Sequence, residues 1–73
     1  MHTVYIHIEE KLSDQELRAL ESDLREVRHV TDVEIDAGKP HDILVEFEEA
    51  HLSPMTILKE LSRHGLHGDI ISG

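Results

Sequence analysis

The sequence has 73 residues, with 16 acidic against 7 basic side chains and a formal net charge of −9 with histidine neutral. It contains no cysteine, which excludes a disulfide framework, a thiolate metal site and a thiol nucleophile. The negative charge repels phosphate backbones and anionic lipid, so nucleic acid and membrane surfaces are poor partners, and cations or a protein with a basic surface are favoured.

A chain of this length predicts one domain spanning residues 1–73, near the lower limit for a core that folds without staples. No stretch has the length and apolarity of a signal peptide or a membrane span, so the expected location is the cytoplasm. Seven histidines are the one compositional hint of function.

Residues 3–8, TVYIHI, alternate, with Val4, Ile6 and Ile8 on one face and Thr3, Tyr5 and His7 on the other, which predicts a half-buried strand. Residues 14–29 repeat Leu17, Leu20, Leu24 and Val27 at helical spacing, a helix with one apolar stripe. Residues 31–36, TDVEID, alternate again with Val33 and Ile35 inward, and AGKPH at 37–41 reads as a turn around Gly38 and Pro40. In residues 42–48, Ile43, Val45 and Phe47 share the core face. Ser53 then Pro54 reads as an N-cap followed by proline at the first helical position. That helix runs through ILKELSRH and stops at Gly65, with Leu66 folding back, and GDIIS at 68–72 is a last short strand.

The order is β-α-β-β-α-β. One apolar face per strand and one stripe per helix pack most economically as a ferredoxin-like α+β sandwich. Two helices then cover one face of a four-stranded antiparallel sheet in the order 4-1-3-2. The other face is predicted to carry Thr3, Tyr5, His7, Asp32, Glu34, Leu44, Glu46 and Glu48, with Glu46 as cross-strand neighbour of His7. A single exposed aromatic among carboxylates does not make an RNA-stacking platform.

Between the first strand and the first helix stands KLSDQE. Ser13-Asp14-Gln15-Glu16 is the S-x-x-E pattern of a capping box, in which serine and glutamate satisfy each other's main-chain amides. Leu12, just before the cap, is placed to pack as a staple. The segment reads as a helix start.

The strand, loop and helix, then VRHVTDVEID, a hairpin, ILVEF, a short helix and RHGLHGDII, resemble the heavy-metal-associated domain of copper chaperones and metal-pumping ATPases. In that family the first helix ends in a segment like V-x-G-V, whose places Val27-Arg28-His29-Val30 fill, and a Gly-aromatic step precedes the last strand, here Gly65-Leu66. The resemblance implies the fold and a metal-linked or partner-docking function. It also places the family's CxxC motif on Ser13-Asp14-Gln15-Glu16, where neither thiolate exists, and soft Cu(I) selects sulfur.

The predicted topology sorts the histidines to two ends. Glu9, Glu10, His41, His64 and His67 come to the end with the first loop, a donor set suited to Zn²⁺, Ni²⁺ or Cu²⁺. His2, His29 and His51 gather at the other end as a second candidate cluster. Either group also fits the ordinary solvated histidines of loop ends. The carboxylate runs Glu9-Glu10, Asp32-Glu34-Asp36 and Glu46-Glu48-Glu49 read as solvated faces. No nucleophile–base pair, phosphate loop or H-E-x-x-H motif occurs, so no catalysis is expected.

Three functions fit. The first is a non-catalytic interaction module that lacks the thiolate site and docks on a basic partner. The second is a divalent-metal binder, somewhat like the cytoplasmic ferredoxin-like domains of cation diffusion facilitators, although those begin with the helix. The third is a small-molecule regulatory domain of the ACT type, which shares the element order but usually has glycine in the loop after strand one. Strands two and four are the predicted sheet edges, with one of Ile70 and Ile71 pointing outward, so a monomer or weak homodimer is expected.

Overall fold

In the computed structural model, which describes residues 2–35, 38 and 41–72, the elements are β1 (His2–Ile8), α1 (Asp14–Arg25), β2 (Val30–Ile35), β3 (Asp42–Phe47), α2 (Pro54–Arg63) and β4 (Gly68–Ser72). All three strand pairings are antiparallel. The sheet order β2-β3-β1-β4 is the expected 4-1-3-2 read from the other edge.

The alternation of each strand explains the packing. Val4, Ile6 and Ile8 of β1, Val33 of β2 and Ile43, Val45 and Phe47 of β3 are buried on one face. Leu20 and Leu24 of α1 and Ile57 and Leu61 of α2 close over them, with Leu66 completing the cluster. Leu12, Val30, Ile35, Leu52 and Leu58 pack around its margin. Both helices therefore lie on one face of the sheet, the arrangement of a ferredoxin-like sandwich.

The helix ends follow local chemistry. α1 stops at Arg25, four residues before the expected boundary at 29. Val27 N–H bonds back to Leu24 C=O and Val30 N–H to Val27 C=O, tight turns that bring the chain down onto β2. α2 closes with a Schellman motif. Leu66 N–H reaches Leu61 C=O at 3.0 Å, Gly65 N–H reaches Ser62 C=O at 2.9 Å, and Gly65 takes φ 76°, which glycine adopts without steric penalty. Ser53 holds the N-cap position of α2, but its hydroxyl lies 3.3 Å from that of Thr56 instead of capping an amide.

Three expectations change. His7 lies opposite Asp42, and Glu46 lies opposite Thr3; His7 Nδ1 is 2.7 Å from Asp42 Oδ1. Asp32 is drawn to the β2 edge. The register shifts between Val30 and Asp32, and Arg25 reaches over to Asp32 Oδ1 at 3.0 Å and to Val33 C=O at 2.6 Å. Ile70 and Ile71 are both exposed, at 44% and 55%. β4 is an edge strand whose pairing slips between Tyr5 and Ile6, so neither isoleucine is fully covered. Asp36 and Pro40, assigned above to strand two and its turn, lie outside the described residues.

Gly68 sets the approach of α2 to the sheet. A β-carbon there would stand 2.6 Å from Leu61 Cδ1 and 2.9 Å from Ile6 Cγ2. Gly68→Ala is expected to overpack this contact and lower stability by about 1–3 kcal/mol in urea unfolding, with the slope of the transition unchanged.

Candidate functional site

The β1–α1 loop, the turn before β3 and the turn before β4 converge at one end of the sheet. Main-chain bonds hold them there: Ile8 N–H donates to His41 C=O at 2.7 Å and Glu9 N–H to His67 C=O at 2.9 Å.

The start of α1 is a complete capping box. Glu16 N–H donates to Ser13 Oγ at 3.2 Å and Ser13 N–H donates to Glu16 Oε1 at 3.0 Å. The Ser13 amide, and then its hydroxyl, hold the Glu16 carboxyl below the ordinary carboxylate range. The Ser13 and Glu16 side chains are thus both turned onto the helix start itself.

Beside it, Glu10 clamps His67. One oxygen accepts the His67 amide at 2.7 Å and the other lies 2.6 Å from its Nδ1. The side-chain hydrogen bond, reinforced by the amide, lowers the Glu10 pKa, and the same bond raises that of His67. This charge-assisted pair ties the two loops across 57 residues of sequence.

Of the five residues expected here, Glu9, Glu10 and His67 come within 4.8 Å of one another by one donor atom each. His41 shares this end but is turned to main chain: its Nδ1 donates toward Ile8 C=O at 3.2 Å and Glu10 C=O at 3.1 Å. His64 faces the helices instead. Its Nε2 is 3.5 Å from Asp23 of α1, and both line a shallow groove with Leu12, Ala19 and Leu66.

At the other end of the sheet, His29 and His51 meet, and Glu48 joins them. His2 does not. Its ring sits edge-on to Phe47 with centroids 5.4 Å apart, and its Nδ1 is 3.7 Å from Glu49. Glu48 belongs to the acidic run Glu46-Glu48-Glu49. Its signal was the spacing Glu48-x-x-His51, one turn of chain after β3. Asp23 as the partner of His64 had no sequence signal.

No protein-family model matches the sequence, and no curated protein matches it by sequence. Solved structures do match in shape. A copper binding domain from HMA7, a P-type ATPase, superposes with a TM-score of 0.88 at 15% identity over 99% of this chain and 96% of that one. Oxidized MerP from Ralstonia metallidurans CH34 gives 0.86 at 15% identity over 97% of each chain. The yeast copper transporter domain Ccc2a, studied apo and Cu(I)-loaded, gives 0.84 at 14% identity over 99% and 97%.

The chain has the heavy-metal-associated fold.

Within that fold the loop of residues 9–13 is closed by its own hydrogen bonds, and the sequence has no cysteine to open it to a soft metal. Among the described residues no helix is long and apolar enough to cross a membrane.

Two variants test this end. Ser13→Ala removes the cap acceptor and should lower stability by about 1 kcal/mol in urea unfolding. Glu10→Gln should return the His67 titration, followed by imidazole NMR, toward the ordinary range; an unmoved midpoint would assign the shift to Glu9 and Asp69 instead. The contribution of raised His67 is full below its unfolded pKa and fades as pH rises through the folded value. That of lowered Glu10 is full above its unfolded pKa and fades as pH falls through the folded value. Wild type should therefore gain most over Glu10→Gln between the ordinary carboxylate and imidazole values, roughly pH 5 to 6.

Proposed function

We propose that the protein is a small acidic binding module on the heavy-metal-associated architecture, acting without catalysis in the cytoplasm. It recognises a protein partner with a basic surface and does not carry a soft metal on its first loop. The observation that carries this reading is the closed loop: the capping box of Ser13 and Glu16 and the Glu10–His67 clamp engage these four side chains with one another. The Glu9–Glu10–His67 group serves as a latch. A metal on Nδ1 of His67 would have to displace the Glu10 oxygen that holds it at 2.6 Å.

The surface for a partner is the sheet face that no helix covers. Tyr5 is 43% exposed there and lines a depression with Glu34, Ile35 and Leu44. Asp42 and Glu46 occupy the neighbouring β3 positions opposite His7 and Thr3. Amphipathic tyrosine with a leucine, rimmed by carboxylates, suits an apolar anchor carried by a lysine- or arginine-rich segment.

The test is an amide NMR titration with a short lysine-rich peptide carrying one aromatic anchor, and separately with Cu(I) under anaerobic conditions. The peptide should move Tyr5, Glu34, Leu44 and Glu46, and the shifts should shrink as salt is raised. Cu(I) should leave residues 13–16 unmoved. A saturable Cu(I) response at those four residues would sink the reading.

A further inference from the structure

The loop between α1 and β2 meets the turn after β3 at the end of the sheet remote from the closed loop. Glu48 N–H donates to His29 C=O at 3.0 Å, and His51 N–H donates to Glu48 C=O at 3.0 Å. The main chain thus sets the three residues beside one another. The rings of His29 and His51 stack, with centroids 4.3 Å and planes 15° apart. Glu48 Oε1 stands 3.9 Å from His29 Nδ1. One donor atom from each of the three lies within 4.8 Å of the others.

The backbone of His29 is a separate observation. Its φ is 73°, the one positive φ among the described non-glycine residues. A residue with a β-carbon is strained there, and glycine would not be. Among the described residues no hydrogen bond of its own ring offsets the strain, its charged neighbour standing beyond hydrogen-bond length. Strained positions of this kind concentrate where a side chain is held for use.

We propose that His29, Glu48 and His51 bind a divalent transition-metal ion of the Zn²⁺, Ni²⁺ and Cu²⁺ class through two imidazole nitrogens and one carboxylate oxygen. Such borderline ions accept this donor set, whereas Cu(I) prefers sulfur. Bonds of about 2.0–2.2 Å place neighbouring ligand atoms roughly 3.3 Å apart in a tetrahedral shell. The 3.9 Å separation of His29 and Glu48 is therefore a small closure from a bound geometry. Parallel rings aim their lone pairs side by side, so the exposed His51 ring turns to make them converge. Three protein ligands leave the remaining position to water. The chain's charge of −9, with Glu49 next in sequence, draws a cation to this end.

The competing cluster lacks these properties. Glu10 and His67 already satisfy each other at 2.6 Å, whereas the side chains of His29 and His51 are held to each other by stacking. This inference is independent of the reading of the sheet face.

The experiment titrates the full chain with Zn²⁺ at neutral pH, followed by calorimetry and amide NMR. One equivalent should bind in the micromolar range, with saturable shifts at His29, Glu48 and His51. His51→Ala and Glu48→Gln should each weaken binding by at least about tenfold, and His67→Ala should leave it unchanged. His29→Gly should abolish the site while raising the urea midpoint, because it relieves the strained φ; that variant stays folded, so its loss of binding cannot be a folding defect. Saturable shifts centred on Glu9, Glu10 and His67, binding indifferent to His51→Ala, or only diffuse unsaturated shifts would each overturn the proposal.

Discussion

The inner face of this sheet admits no polar side chain. Every buried residue among those described is apolar, and the central strand buries Val4, Ile6 and Ile8 almost completely. In a chain of 73 residues that core has little surplus area to offset a desolvated charge. Among the described residues the acidic and histidine side chains are therefore kept to the uncovered sheet face, the outer sides of the helices and the two ends of the strands. What the protein can bind is determined by which of them the loops bring together at those ends.

The two ends solve the same problem differently. At one, loop groups neutralise each other: serine caps glutamate and glutamate grips histidine, and the charge-assisted bonds hold distant segments in register. At the other, main-chain bonds position the loops, and the side chains are left with weaker company, a stacked ring and a carboxylate just out of reach. Self-satisfied groups give rigidity. Groups held close yet incompletely paired retain their capacity for an outside ligand.

Much of this was legible in the residues because it is periodic or locally encoded. The alternation of Val4-Ile6-Ile8 and Ile43-Val45-Phe47 marks the core face, S-x-x-E marks the start of α1, and Gly65 marks the end of α2. The sequence also places the charged groups at their ends of the sheet, since that follows from topology alone. It does not reveal pairings that depend on register. The one-residue shift at Thr31 and the grip of Arg25 on β2 come from how an edge strand slips and twists, and the contact of His7 with Asp42 from the register of the two inner strands. The reach of His64 to Asp23 depends on how two helices lie side by side, which no local pattern encodes. Gly68 was legible only as the start of the last strand, and its role lies in the closeness of a helix that only the folded chain brings near.

The flanks of the sheet are unequal. Along β2 the Arg25 guanidinium occupies a main-chain carbonyl and a side-chain carboxylate, a plug against any strand seeking hydrogen bonds there. Among the described residues β4 has no such clamp, and it shows Ile70 and Ile71 to solvent. Any sheet extension would therefore be favoured along β4. Two copies joined along β4 would present outer flanks on which Arg25 already engages the main chain, so growth by this route would be disfavoured beyond a pair.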